Sequence, residues 1–192
     1  MDSQSSIKIP IDKLSPAFIK DMQEKYGDAE LEITINRNPD FRPLKEEVFW
    51  QLIDLLDWKK VTDGEIIELL IQKLTALPVG HIYNFQELLA QKLYQLDQQK
   101  YAKNIGQFSY KEGDYFSVDH FLHVRVCVVA NGKEAFEEVL NNPKKMFKDL
   151  MFEPLLSVAS IAYTRKTGKQ FIYVPSQNME TYSNKEGWNL LT

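Results

Sequence analysis

The sequence predicts a mainly α-helical protein: a helical bundle with a small N-terminal β-α-β unit. Three observations lead to this fold class. Apolar residues recur at helical spacing in most of the chain, and residues 44–58 are apolar around most of a helical circumference. Residues 7–11 and 31–35 instead alternate apolar with other residues, which is the period of a strand. Between these two segments, Ser15 and Pro16 have the residue types that begin a helix.

The composition is that of a globular protein with a substantial core. Of the 192 residues, 44% are apolar and 26% are charged. The formal net charge is −4, so the basic field that binds a phosphate backbone is missing, and we do not expect nucleic-acid binding.

Three features of the sequence indicate the cellular compartment. The single cysteine, Cys127, lies in an apolar run, which indicates a reducing environment and a buried, inert thiol. Residues 1–6 lack the basic and then apolar order of a signal peptide. No apolar run approaches the roughly 20 residues that span a bilayer. We therefore expect a cytoplasmic protein that does not enter a membrane.

Residues 1–40 are predicted to form a strand–helix–strand appendage. The first strand is residues 7–11, and Pro10 within it restricts the strand to the edge of a sheet. The second strand is residues 31–35. The helix between them ends at Gly27, and its inner face is predicted to consist of Phe18, Ile19 and Met22.

This appendage needs a partner surface, because two strands do not form a stable sheet alone. It must rest on the helical domain or pair with the same unit of a second chain. Residues 36–43 are rich in turn-forming residues and are predicted to be a linker. The helical domain then comprises residues 41–192.

Residues 44–58 are predicted to be the central helix of this domain. Their only polar stripe contains Gln51, Asp54 and Asp57. A helix that is apolar on most of its circumference belongs inside a bundle, so we expect the other helices to pack around it.

Capping residues and apolar spacing predict the remaining helices. Thr62 and Glu65 have the spacing of a capping box, and Pro78 closes the helix that they begin. Further helices are predicted at about 80–97, at 133–140, and from near Pro154 to before Gly168. The aromatic loop 106–116 should lie against the body. Residues 175–192 should be mostly irregular, with one last turn that carries Trp188.

Residues 118–130 fit two structures. Their alternating valines favour a strand. However, 13 apolar-rich residues are long for a strand, Ser117 suits a helix N-cap, and Asn131 with Gly132 suits a helix end. We predict a buried helix.

Arg125 is the main candidate for a ligand-binding residue. It lies among apolar residues, so its guanidinium must be paired if it is buried. It could hold a small anionic ligand in a pocket. Alternatively, it could form a structural ion pair, which is the commoner role of buried arginines. The candidate partners for such a pair are Asp54, Asp57, Asp119 and Glu153.

His120 and His123 are three residues apart and share a helix face. They could exchange protons with a substrate or supply metal ligands. The only other histidine is His81, and nothing in the sequence supplies the remaining ligands, so we predict no metal site. His120 could instead belong to the helix cap. Because no phosphate-binding glycine loop and no Cys-x-x-Cys pair occur, we also predict no cofactor.

Aromatic residues crowd the loops and the tail, and Tyr115 and Trp188 are the two that we select as candidate ligand contacts. The aromatic residues could form one wall of a ligand or peptide groove. They could equally cover the open ends of the bundle. Asp54 is the candidate carboxylate of the same site.

Several separate motifs resemble those of an uncharacterised bacterial family, the domain of unknown function 4240. The likeness covers roughly residues 46–188, and residues 1–40 lie outside it. It implies a bacterial, mainly helical domain with no established activity, and it supports a helix at 118–130. The motifs are Phe49–Asp54, Asp114–Asp119, Arg125, Val128–Gly132 and Ser183–Trp188. The signature positions that the resemblance implies are Trp50, Asp54, Arg125, Asn184 and Trp188.

Two functions remain open on this sequence. We expect a non-enzymatic interaction or regulatory protein whose N-terminal strands pair with a protein partner or with a second copy in a homodimer. The alternative is a small hydrolase or nucleotide-handling enzyme. It would have an anion site at Arg125 near the loop 106–119, with His120 or His123 exchanging protons. The sequence favours the first function over an enzyme.

Overall fold

The computed structural model describes residues 15–27 and 44–190. The chain divides into two compact units, Met1–Pro39 and Asp40–Thr192. The described residues form eight α-helices and two short 3-10 helices, and they contain no strand. None of the described helices combines the length and the apolar character needed to cross a membrane. The predicted mainly helical fold class is therefore confirmed.

In the first unit, helix α1 spans Pro16–Tyr26. The Ser15 side chain accepts a hydrogen bond of 3.2 Å from the backbone N–H of Phe18, as expected of an N-cap. Phe18 and Met22 are half-buried, whereas Ile19 is exposed, so the predicted inner face is only partly covered. The predicted strands at 7–11 and 31–35 and the linker at 36–43 lie outside the described residues.

The second unit contains the other helices. Helix α3 packs against α8, α4 packs against α6 and α8, and α6 packs against α7. The 3-10 helices span Pro143–Lys145 and Pro154–Ser157. The α-helices are α2 (Glu46–Ile53), α3 (Asp63–Ala76), α4 (Val79–Gln95), α5 (Gln99–Ala102), α6 (Val118–Ala130), α7 (Gly132–Asn141) and α8 (Val158–Thr167).

Helix α2 is shorter than the helix predicted for residues 44–58. After Ile53 the chain turns, and the backbone N–H of Asp57 donates 3.1 Å to the carbonyl of Ile66 in α3. The backbone N–H of Asp57 therefore does not continue the helical pattern, and local sequence does not specify its partner. The apolar residues of the segment are nevertheless buried, as predicted: Phe49, Trp50, Leu52, Ile53 and Leu56.

Helix α6 is buried over most of its length, with nine of its 13 residues in the interior. The Ser117 side chain caps it by accepting from the backbone N–H of His120 at 3.2 Å. The predicted helix is therefore confirmed, and the strand alternative is wrong. Helix α4 packs against α2, α3, α6 and α8, so the central position expected of residues 44–58 belongs to α4 instead.

Helix α3 begins with the predicted capping box. The Thr62 side chain accepts from the backbone N–H of Glu65, and the Glu65 carboxylate accepts from the backbone N–H of Thr62. Helix α8 ends at Gly168, whose φ of 69° lies in the left-handed region that favours glycine. After Gly168, residues 171–181 run without regular structure, and their side chains are alternately half-buried and exposed.

Candidate functional site

Arg125 lies on the face of α6 that packs against α4, and its side chain is 0% exposed. Its Nη1 donates to the backbone carbonyl of Leu93 at 2.8 Å. Its Nη2 donates to the hydroxyl of Thr181 in the C-terminal segment at 2.9 Å. The guanidinium carbon also lies 4.8 Å from the centre of the Phe121 ring. These contacts hold the guanidinium between two helices and the tail.

Asp97 is the carboxylate that faces Arg125, and its side chain is also 0% exposed. Its Oδ1 is 4.0 Å from Nη2 of Arg125. The partners predicted from the sequence were Asp54, Asp57, Asp119 and Glu153, and that prediction is wrong. One signal could have identified Asp97: it follows Leu93 by four residues, so a charged residue continues the buried face of α4.

The Asp97 carboxylate also holds the tail of the chain. Its Oδ1 accepts from the indole Nε1–H of Trp188 at 2.7 Å and from the backbone N–H of Tyr182 at 3.2 Å. Its Oδ2 accepts from the backbone N–H of Asn184 at 3.0 Å. A single buried carboxylate therefore pairs with Arg125 and fixes three residues of the tail.

Burial lowers the pKa of Arg125 to about 10, while Asp97 and Glu180 oppose this shift. The guanidinium is therefore still charged at neutral pH. Because an isolated charge in a protein interior is costly, Asp97 is required to compensate it. The Arg125 Nε atom has no hydrogen-bond partner in the part of the chain that the structure describes.

Trp188 is 3% exposed and lies within a group of aromatic rings. The distances from its ring centre to those of Tyr182, Tyr110, Phe121 and Phe116 are 4.4, 5.4, 5.9 and 6.0 Å. Tyr110 and Phe116 come from the aromatic loop, which lies against the body as predicted. We call Asp97, Arg125 and these rings the tail site.

The other predicted site residues lie outside the tail site. Tyr115 is 94% exposed. Asp54 is exposed after the end of α2, where its Oδ1 approaches Gly132. Of the six candidate ligand contacts, the tail site thus contains only Arg125 and Trp188, which Asp97 joins.

His120 and His123 are on a different face of α6 from Arg125, because five residues of helix place Arg125 about 140° around the axis from His120. The His120 ring lies 4.6 Å from that of Phe108, and its Nε2 has no hydrogen-bond partner among the described residues. Burial and His123 lower the pKa of His120, while Asp149 opposes the shift. The described residues contain no group of three side chains that could hold a metal ion. The histidines and Arg125 do not converge on one point.

Cys127 is buried, as predicted, and burial raises the pKa of its thiol to about 11. Its reactive thiolate form is therefore scarce at neutral pH.

Arg125 lines neither of two surface cavities that the described residues form. One, of about 660 Å³, lies between α3 and α8 and has an apolar floor formed by Ile67, Ile71 and Ile161. On its rim, Arg165 donates two hydrogen bonds to the Glu68 carboxylate, and these, with one from Gln72, lower the pKa of Glu68 to about 2. The other, of about 640 Å³, is lined largely by amide side chains such as Gln98, Gln99 and Asn189.

These features define a mainly helical protein in which a buried arginine–aspartate pair holds the C-terminal segment. The chain belongs to the family described as "Protein of unknown function (DUF4240)", whose family model matches residues 44–165, more than half of the chain. The match ends before the tail, so Asn184 and Trp188 lie beyond it. Comparisons with curated proteins and with solved structures gave no match.

Proposed function

We propose that this protein is a non-enzymatic interaction or regulatory protein that pairs with a protein partner or with a second copy through its N-terminal segments. The observation that carries this proposal is the position of Arg125. Arg125 is the main candidate for a ligand-binding residue, but its side chain is 0% exposed. Leu93, Thr181 and Asp97 surround its guanidinium. A group held in this way supports the fold rather than a ligand.

The N-terminal sequence supplies the surface for this interaction. Residues 7–11 and 31–35 have strand period, and each presents an apolar face. An exposed strand edge offers a row of backbone donors and acceptors to a second chain. Strand addition of this kind gives affinity through the main chain and specificity through alternate side chains.

The test compares full-length protein with the 41–192 fragment. Each is used as bait in its native cell extract, and its molar mass is measured by light scattering over a range of concentrations. We expect the full-length chain to retain partners, or to double its mass, and the fragment to do neither. If the two baits capture the same proteins and have the same state of association, the proposal is wrong.

A pair of substitutions within the full-length chain controls for the loss of 40 residues. Ile9→Asn places an amide on the apolar face of the first predicted strand, whereas Lys8→Asn changes the opposite face. Only the first substitution should abolish pairing. Equal behaviour of the two variants would contradict strand pairing through this segment.

The alternative, a small hydrolase or nucleotide-handling enzyme with an anion site at Arg125 near the loop 106–119, has one observation in its favour. His120 carries an unpartnered Nε2 beside Phe108 of that loop. Titration of the full-length protein with inorganic phosphate and with a nucleotide, monitored through the His120 ring signals by NMR, tests this function. Saturable shifts that Arg125→Lys weakens would favour it, and unchanged signals would exclude both ligands.

A further inference from the structure

Residues 170–175, which follow α8, have the side-chain period of a strand. Phe171 and Tyr173 are half-buried, whereas Ile172 and Val174 are 82% and 87% exposed. Alternation of this kind places successive side chains on opposite faces, as in a β-strand. We call residues 170–175 the edge segment. Its outer face presents two β-branched side chains to solvent, and side chains of this type pack well against a neighbouring strand.

The inner face of the edge segment is fixed to the domain. The Phe171 ring lies 5.4 Å from that of Tyr83 in α4 and 5.1 Å from that of Tyr163 in α8. The Tyr173 ring lies 4.9 Å from that of Tyr83, and the Tyr173 hydroxyl donates to the Glu87 carboxylate. A strand that binds beside this segment therefore meets a main chain that is already ordered, which lowers the entropic cost of binding.

The main chain of the edge segment has unused hydrogen-bonding groups. Within the part of the chain that the structure describes, residues 170–174 make no backbone-to-backbone hydrogen bond. The N–H groups on either side of them are bonded to side chains. That of Lys169 donates to the Thr167 hydroxyl, and that of Ser176 donates to the Glu87 carboxylate. An unpaired row of N–H and C=O groups is the feature through which an edge strand accepts a second chain.

The charges around the edge segment favour an acidic partner. Residues 165–179 contain no aspartate or glutamate. Arg165 pairs with Glu68. Lys166 and Lys169 are exposed, and neither forms an ion pair with another described residue. These two positive charges are therefore free to attract carboxylates of another molecule.

We propose that the edge segment is a docking site for an extended, acidic segment of a partner protein, which adds to it as a β-strand. Backbone groups of the edge segment pair with the added strand, Ile172 and Val174 pack against its apolar side chains, and the two lysines attract its carboxylates. A second copy of the edge segment is a poorer occupant, because it brings the same lysines and no acidic residue. The proposal does not rest on residues 1–40, so it and pairing through the N-terminal segments can each fail alone.

Hydrogen exchange of the full-length protein, followed amide by amide by NMR, tests the main-chain pairing. The probe is a synthetic peptide of alternating valine and threonine with two aspartates at each end. We expect exchange to slow at every second residue of 170–174, because alternate residues of a strand direct their N–H groups to the same edge. With the peptide at about ten times its Kd, these amides should exchange about tenfold more slowly, since only the free fraction exchanges. Unchanged exchange at all of these amides would overturn the proposal.

Charge variants of the full-length protein test the choice of an acidic partner. Lys169→Glu should raise the Kd of the aspartate peptide about fivefold, because an attraction becomes a repulsion. The matched control is Lys148→Glu, which changes an exposed lysine outside the edge segment and should leave the Kd unchanged. A peptide with lysines in place of the aspartates should bind more weakly. Equal Kd values for the two variants, or for the two peptides, would overturn the proposal.

The same measurements without peptide identify a second copy as the occupant. In that case the amides of residues 170–174 become protected as the protein concentration rises, and the molar mass from light scattering doubles over the same range. Such a result would overturn the proposal of an acidic partner. We expect these amides to exchange at the same rate at every protein concentration.

Discussion

The carboxylate of Asp97 joins three parts of the chain that are far apart in sequence. It lies just after α4, faces Arg125 of α6, and accepts hydrogen bonds from Tyr182, Asn184 and Trp188 of the tail. A buried ion pair adds little net stability compared with apolar residues of the same shape, but removal of one partner leaves an uncompensated charge. The pair is therefore a specific constraint on how the tail closes the bundle.

Asp97→Ala should lower the free energy of unfolding by about 3–5 kcal/mol, because it leaves the Arg125 guanidinium buried without its counter-charge. Urea denaturation measures this change. The control is Glu68→Gln, which removes the exposed carboxylate that Arg165 contacts and should have a small effect. Similar losses of stability in the two variants would mean that the buried carboxylate of Asp97 contributes no more to stability than the exposed carboxylate of Glu68.

Adding Arg125→Met to Asp97→Ala should recover part of the lost stability, because the double variant contains no uncompensated charge. The measurement is a double-mutant cycle by urea denaturation. A double variant whose loss equals the sum of the two single losses would show that Asp97 and Arg125 are not coupled.

Trp188→Phe should lower the free energy of unfolding by about 1–3 kcal/mol. The substitution keeps an aromatic ring in the tail site but removes the indole N–H that donates to Asp97. Trp58→Phe is the matched control, because Trp58 is half exposed, its ring packs on Phe152, and its indole N–H makes no hydrogen bond among the described residues. Thermal unfolding of both variants gives the comparison. If Trp58→Phe is the more damaging, the hydrogen bond from Trp188 to Asp97 is not a major contribution to stability.

The buried thiol of Cys127 should make stability fall at alkaline pH. Its pKa is raised from an ordinary value of 9.0 to about 11, so the unfolded chain releases this proton at a lower pH than the folded chain. The contribution is complete below pH 9 and is lost as the pH rises from 9 to about 11. Urea midpoints across this range should fall less steeply for Cys127→Ala. Parallel curves for the two proteins would contradict the burial of this thiol.

At the scale of the elements, helix ends were predictable where a side chain next to the end determines them. Ser117 begins α6, Thr62 and Glu65 begin α3, and Gly168 ends α8, each as its residue type indicates. These interactions span four residues or fewer, so sequence spacing contains them. Helix α2 instead ends at Ile53, and the chain then continues to Asp57, whose backbone N–H donates to Ile66 of α3, a contact that no local pattern contains.

The candidate site was less predictable because its contacts join residues that are far apart in the sequence. The burial of Arg125 followed from its apolar neighbours, but the identity of its partner required knowledge of how α4 packs on α6. Asp97 is 28 residues away in sequence, so several carboxylates were equally good candidates before the helices were placed. Trp188 became part of the same site only because the tail returns across α4.

Thr62→Ala should destabilise the protein by about 1 kcal/mol, because it removes the oxygen that accepts from the first turn of α3. The control is Thr164→Ala, at an exposed position inside α8, where alanine is the better helix former. Chemical denaturation should show a loss in the first variant and no loss in the second. A loss in both would point to threonine packing rather than capping.

At the scale of the whole molecule, the described core is contained in one unit. Every buried residue of the described chain lies between Leu44 and Trp188, and the family match begins at residue 44. The tail completes that core, because it provides Trp188 and the donors that Asp97 requires. The tail is therefore part of this core, whereas the described residues before Leu44 contribute no buried residue to it.

This difference predicts an asymmetry between truncations. Removal of residues 1–40 should leave the near-UV circular dichroism of the bundle unchanged, because the aromatic packing around Phe49, Phe85 and Trp188 lies in the remaining chain. Removal of residues 176–192 should weaken that signal and lower the urea midpoint, because Asp97 and Arg125 lose the hydrogen-bond donors of the tail and become exposed.

A synthetic peptide of residues 176–192 should restore the urea midpoint of the truncated chain as its concentration rises, because a ligand that binds only the folded state stabilises it. Trp188→Ala in that peptide should abolish the recovery, and an equal recovery with both peptides would refute the tail site as the place of binding.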